Sequence, residues 1–221
     1  MDSDGELGRA ARENVQETKA CWEAAEYYDV AEEHMDLQWR ETILPGIQGC
    51  DFRRVLELAP GHGRNTARLI EMADELVLVD INQSCIDRCR ERFADHPRVD
   101  RVSFHVNDGT SLPMVADQSV TLVYCWDAMV HFEPEVIQRY LREFKRLLVP
   151  GGRCALHYSN YGAHPESTGR PWRDNPHWRS AMSQEHFREY CAELGFVVVA
   201  EQLLEWDRIE ALDALAVIEK A

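Results

Sequence analysis

The sequence predicts an α/β fold in which a mainly parallel sheet carries helices on both faces. Three observations carry that prediction. Apolar, strand-like runs alternate with stretches of helical periodicity from Val55 to Ile218, the pattern of a parallel sheet covered on both sides. The first run, Val55–Leu58, passes straight into a small-residue turn, Ala59-Pro60-Gly61-His62-Gly63, and a helix start. The second run, Leu76–Val79, is closed by an acid, Asp80.

The elements follow in order. Residues 1 to about 18 are polar and acidic and read as frayed or loosely helical. From Glu17 to Glu41 the spacing turns helical, with Trp22, Ala25, Tyr28, Met35 and Trp39 on one periodicity, which makes residues 1–45 a helical cap outside the sheet. Strand Val55–Leu58 leads to a helix over Thr66–Ala73, and strand Leu76–Val79 to a helix over Gln83–Phe93 that ends before Pro97. Strand Val102–Val106 is followed by a loop. Strand Val120–Trp126 feeds a helix over Glu135–Leu148, where Pro134 suits the first turn because its missing N–H costs nothing there. Pro150-Gly151-Gly152 stops that helix ahead of strand Cys154–Tyr158. After a helix over Gln184–Leu194, Gly195 opens a strand to about Ala200, and Leu212–Ile218 forms the last. No crossover helix fits between these two, so they form an antiparallel edge hairpin.

The glycine turn and Asp80 together suit an adenosine group: small residues let backbone approach a ligand, and the acid accepts hydrogen bonds from ribose hydroxyls. A dinucleotide fingerprint wants a small residue where Thr66 stands. Glu57, an acid inside the first strand, would repel pyrophosphate, and a buried carboxylate needs a partner. A ligand ammonium or a set of donors around the turn would supply one. The residues therefore favour a nucleoside-plus-amino-acid ligand over a dinucleotide, with a glutamate that merely ties the turn together as the alternative.

Glu57 to Gly63, Asp80, Asn107-Asp108-Gly109 and Pro150-Gly151-Gly152 resemble the class I S-adenosylmethionine-dependent methyltransferases, over residues 50 to 160. The resemblance implies a Rossmann-like seven-stranded, mostly parallel sheet with an antiparallel edge strand, in one domain spanning 1–221. It implies S-adenosyl-L-methionine as cofactor, with Gly61 and Gly63 beneath it, Asp80 on the ribose and Asp108 on the adenine amino group. Glu57, Ala59, Ile81, Asn107, Gly109, Cys125 and Trp126 complete the expected cofactor set. Ala59 stands where the family has its first glycine, and alanine is accommodated there if φ stays negative.

Ligands of such sheets sit beyond the carboxyl ends of the strands, which directs attention to Cys125-Trp126-Asp127 with His131, and to His157-Tyr158-Ser159-Asn160. Methyl transfer to a hydroxyl needs alignment and a proton acceptor. His131, in the turn after the fourth strand, is the first choice as base, and its alternative is a packing or capping role. His157 is a base if its ring faces the cleft and a core histidine if it lies along the sheet. Asp127 orients a histidine or a substrate hydroxyl, or serves as an anion at the next helix. His62 packs against the cofactor.

Residues 159–182 form a long substrate-side insertion with little periodicity, a kind of loop that is commonly functional. Its aromatics and arginines suit a sugar, or a sugar carrying phosphate. Tyr28, Trp39, Tyr158, Asn160, Tyr161, Arg173 and Trp178 are the candidate acceptor contacts; an ordered lid with no direct contact is the alternative.

The formal charge of −15 over 221 residues argues against a protein that grips nucleic acid electrostatically. No apolar run is long enough to cross a bilayer, and the start lacks the features of a secretory signal. Seven cysteines without a Cys-x-x-Cys pair fit a reducing cytoplasm. No tight metal-ligand motif is visible, so metal use is not expected. The expected activity is O-methylation of a small polar metabolite, a sugar or glycosylated intermediate. Amine or carboxylate methylation, a non-catalytic nucleoside-binding module and an NAD-linked reductase are the competitors. The amphipathic N-terminal segment covers either its own site or, in a homodimer, a partner's.

Overall fold

The computed structural model of the chain describes residues 7–23, 26–167, 175 and 177–221. Its strands are β1 Arg54–Leu58, β2 Glu75–Asp80, β3 Val102–Val106, β4 Val120–Cys125, β5 Leu148–Ser159, β6 Phe196–Trp206 and β7 Ile209–Lys220. They form one sheet in the order β3-β2-β1-β4-β5-β7-β6. The first five are mutually parallel, and β7 runs antiparallel to both β5 and β6. Strand order reverses between β1 and β4, so the crevice for a ligand opens at their carboxyl ends.

Alternation along the strands splits the core in two. Leu56, Leu58, Val77 and Val79 join one buried cluster, while Val55, Leu76 and Leu78 join the other, as a period of two requires. The helices covering these faces are α5 Thr66–Met72, α6 Gln83–Arg92, α7 Pro134–Leu147 and α8 Gln184–Leu194. Along α7, Val136, Ile137, Tyr140, Leu141, Phe144 and Leu147 are all buried on one stripe, and Pro134 takes its first turn.

Three boundaries depart from the sequence reading. β5 starts at Leu148, directly after α7, and carries Pro150-Gly151-Gly152 within it. The β4 partner shifts from Leu148 to Arg153 over two β4 residues, and Gly151 sits at φ 73°, so the extra residues are absorbed as a bulge. The β6–β7 hairpin is longer than its apolar runs because Glu201-Gln202 interrupts the alternation on an edge strand. Asp207 and Arg208, both left-handed at φ 52° and 64°, close it.

The helical N-terminal cap is present as expected, and its first part is a regular helix rather than a frayed or loosely helical stretch. Residues 9–18 are not frayed: they form most of α1 Arg9–Cys21, followed by α2 Tyr27–Glu33, α3 Met35–Gln38, a π-helical turn Trp39–Ile43 and α4 Leu44–Ile47. Leu7, Ala11 and Val15 are buried in the same cluster as Val136 and Tyr140 of α7. Asn14, also buried, donates to the His131 carbonyl (3.1 Å) and accepts from the Glu133 amide (2.9 Å). These long-range polar contacts hold a helix whose composition alone looks solvated. Among the described residues, no helix is long and apolar enough to cross a membrane.

Candidate active site

The crevice holds two adjoining compartments. The larger, about 710 Å³ including its open mouth, is lined by the glycine turn, Asp80, Trp126, Asp127 and His131, and by Thr18, Trp22, Tyr27 and Tyr28 of the cap. The smaller, about 350 Å³, is lined by Val15, Leu58, Ile81, Asn107, Gly109, Phe132, Val136 and Tyr140. Thr18, Ala59, Asp80, Ile81 and Phe132 belong to both. The cap therefore covers a site in its own chain.

Asp80 ends β2 at the junction of the compartments. Its carboxylate accepts the amides of Asn82 (2.9 Å) and Gly61 (3.2 Å). Burial pushes its pKa up to about 6, against those amide bonds. Gly61 is left-handed at φ 56° and tightly enclosed, since a Cβ there would meet the Tyr28 ring at 2.5 Å. Gly109, at φ 84°, is enclosed by Ile81 and Val15. Gly63 lies away from both cavities, against Phe93 and Cys89.

Besides Gly63, four expected cofactor residues stand differently from the sequence reading. Ala59 adopts φ 57°, so the alanine occupies the left-handed conformation that glycine favours rather than a negative φ. Glu57 lines neither cavity. It is buried and accepts the Thr66 hydroxyl at 2.6 Å, and burial raises its pKa to about 8. Thr66, out of place in a dinucleotide fingerprint, is the partner that the buried acid needs. Asp108 is exposed and spends its carboxylate on the amides and hydroxyls of Thr110 and Ser111; its neighbours Asn107 and Gly109 face the cavity instead. Cys125 is wholly buried in the core.

The other end of the cavity is built around Asp127. This residue is left-handed (φ 59°), and its side chain accepts the Tyr27 hydroxyl and Arg64 Nη2, the latter at 2.6 Å. Arg64 also donates to the Ala31 carbonyl at 3.2 Å, tying cap, glycine turn and β4 together. The Asp127 amide donates to His157 Nδ1 at 3.1 Å.

His131 lines the cavity beside Trp22, ring centroids 5.0 Å apart. Its Nδ1 lies 3.0 Å from the Trp178 carbonyl. A carbonyl only accepts, so Nδ1 carries the proton of the neutral ring and Nε2 keeps its lone pair. Burial first, then Arg179, lowers its pKa to about 4. His157 is a different case. It is fully buried, stacked on Trp126 at 4.3 Å, with Nε2 3.3 Å from Asp213. It is a core histidine and does not line the cavity.

Most acceptor candidates on β5 and the following segment are structural. Tyr158 is buried against Phe187 (4.0 Å) and bonded to Glu201. Asn160 donates to the Ala211 carbonyl and accepts from the Gln184 amide. Tyr161 and Trp178 pack edge-on against each other at 6.0 Å, and Trp39 packs on the core cluster beneath the cap. Arg173 lies outside the described residues. Among the described residues of that set, only Tyr28 lines the cavity, where it stacks on His62 at 4.0 Å. Sequence reasoning missed Trp22 and Arg64 as lining residues. The arginine directly after Gly63 was the available clue, because a cation placed in a turn beside acids seldom stays unpaired.

Comparison with known proteins agrees with this fold. Residues 55–152 match the model of a family described as a methyltransferase domain. A demethylmenaquinone methyltransferase from Clavibacter sepedonicus is 29% identical over 121 residues, 55% of this chain and 47% of that protein. A ubiquinone/menaquinone biosynthesis C-methyltransferase from Proteus mirabilis is 35% identical over 107 residues, 47% of this chain and 41% of that one. The chain thus spans about half the length of these relatives. A geranyl diphosphate C-methyltransferase from Streptomyces coelicolor, 14% identical, shares the fold over 98% of this chain and 86% of its own, with TM-score 0.69. The residues present fit the cofactor: an apolar slot, an acid at its junction with the larger cavity and glycines too enclosed to bear a Cβ. Residues 55–152 thus carry a methyltransferase domain, and the seven-stranded sheet around it has the fold of the class I S-adenosylmethionine-dependent methyltransferases.

Proposed function

We propose that the protein methylates a hydroxyl oxygen of a small polar metabolite, with His131 as the proton acceptor. The observation that carries this reading is a buried imidazole in the cavity wall whose Nδ1 is bonded to the Trp178 carbonyl, which leaves Nε2 as the nitrogen able to accept a proton. Bound S-adenosylmethionine supplies an electrophilic methyl group on a sulfonium. Asp80 would hold its ribose, Ile81, Asn107 and Gly109 would take the adenine, and the Ala59–Gly61 turn would hold the remainder. The acceptor lies against Trp22, Tyr27 and Trp126, which exclude water. His131 Nε2 takes the proton that the acceptor hydroxyl gives up and passes it to solvent afterwards.

A saccharide remains the first acceptor to test, since aromatic walls suit the apolar face of a sugar ring. Support from the 159–182 segment has narrowed, because its described aromatics pack on one another. The acidic charge favours a small molecule over nucleic acid, and seven unpaired cysteines favour the cytoplasm. Labelled S-adenosylmethionine offered with sugars, nucleotide sugars, phenols, amines and carboxylates tests the reading. Methyl transfer to hydroxyl acceptors is the expected result, and transfer confined to amines or to carbon would overturn it.

A further inference from the structure

The segment after β5 reaches the cavity wall through its backbone. We infer that Arg179 is a positioning residue: its forked ion pair with Asp213 straps residues 178–180 to the sheet, so that the Trp178 carbonyl sets the tautomer of His131. The inference rests on the reading of His131 as proton acceptor, and deepens it by saying what keeps that ring competent.

The strap is built at both ends. Arg179 Nε and Nη2 donate to the two Asp213 oxygens at 3.0 and 2.6 Å, and both side chains are buried. The guanidinium also lies over the Trp206 ring at 5.1 Å. Burial would raise the Asp213 carboxyl, but His157 and Arg179 outweigh it and hold it at about 2, so the anchor stays charged. On either side of Arg179 the backbone grips the turn that carries the base. The Ser180 amide donates to the Val130 carbonyl at 2.8 Å, and the Trp178 carbonyl takes His131 Nδ1–H at 3.0 Å. Ser159 fixes the far side by donating to the Ser180 carbonyl at 2.8 Å.

The chemistry gives this geometry a purpose. A neutral imidazole has one N–H, and a proton on Nε2 would turn that nitrogen from acceptor into donor. The Trp178 carbonyl can satisfy only the useful tautomer. Charged groups near the ring are Arg179, which disfavours the imidazolium, and Asp127 and Asp213, which favour it; burial and Arg179 prevail.

The test is nitrogen-15 NMR of histidine-labelled protein, with the His131 signal assigned by loss in His131→Gln. Wild-type protein is expected to show His131 protonated on Nδ1. Arg179→Met is expected to mix the tautomers and lower kcat about 10–100-fold, part of what a positioned base contributes, with binding of S-adenosylhomocysteine unchanged. Arg179→Lys reaches Asp213 without the fork and should restore much of both readouts. A wild-type His131 protonated on Nε2 would refute the strap outright, even if the methionine variant failed to fold. A lower melting temperature with tautomer and kcat unchanged would make Arg179 merely structural. Full activity in His131→Gln with the Nδ1–H tautomer intact in wild type would remove the base and leave the strap standing.

Discussion

The Gly61 amide donates to the Asp80 carboxylate across 3.2 Å, so the acid ending β2 also secures the turn that follows β1. One side chain thereby shapes the cofactor groove from both sides. Asp80→Ala should weaken S-adenosylhomocysteine binding by about 1–3 kcal/mol, the usual cost of losing bonds to a charged group. Calorimetry measures it, and an unchanged affinity would remove Asp80 from the cofactor site.

Glu57 makes ligand-free stability depend on pH. Its folded pKa of about 8 lies above the unfolded value of 4.5, so the folded state binds more protons between those limits. Stability from this group is complete below pH 4.5 and is lost as pH rises toward 8. Glu57→Gln keeps the Thr66 contact without the charge and should stabilise the ligand-free protein at pH 8 by about 2–4 kcal/mol. Urea titrations of both proteins at pH 5 and 8 are the check; parallel pH dependence would show that Glu57 ionises freely.

Ala59 occupies a left-handed conformation at φ 57°. That geometry costs an L-residue about 1–2 kcal/mol, partly offset by the greater unfolded-state freedom of glycine. Ala59→Gly should therefore raise stability by up to about 1 kcal/mol and leave cofactor affinity equal or better. A drop in melting temperature would mean that the Ala59 methyl packs more favourably than its backbone is strained.

How far the sequence is legible depends on whether the relevant interaction is local. The order of strands and helices from Val55 to Ile218 follows from periodicity and turn residues, and Asp80 stands out because an acid closes an apolar run. The orientation of His157 was not readable, since one ring on a strand faces either cleft or core. Its place is decided by Trp126, Asp127 and Asp213, up to 56 residues distant along the chain. Helix α1 was obscured for the same reason: Asn14 is buried only because His131 and Glu133 lie opposite it. Asp108 misled differently, as its neighbours Thr110 and Ser111 are local competitors for the same carboxylate.

His131 and His157 should separate cleanly when turnover is followed against pH. Burial, reinforced by Arg179, brings the His131 pKa down from 6.5 to about 4, so the ring is neutral across the physiological range. Turnover should stay level from neutrality to about pH 5 and fall through pH 4, well below the limb of an exposed histidine. His131→Ala should cut turnover by about 10²–10⁴-fold, abolish that limb and leave S-adenosylhomocysteine binding intact. The same shift enters stability with a definite sign. Between pH 4 and 6.5 the unfolded chain binds the extra proton, so stability rises with pH through that window, and His131→Ala should flatten the rise. His157→Ala removes a fully buried ring stacked on Trp126 and should lower the melting temperature while retaining the acid limb. An acid limb near pH 6.5, or one lost in His157→Ala and kept in His131→Ala, would transfer the proton acceptor away from His131.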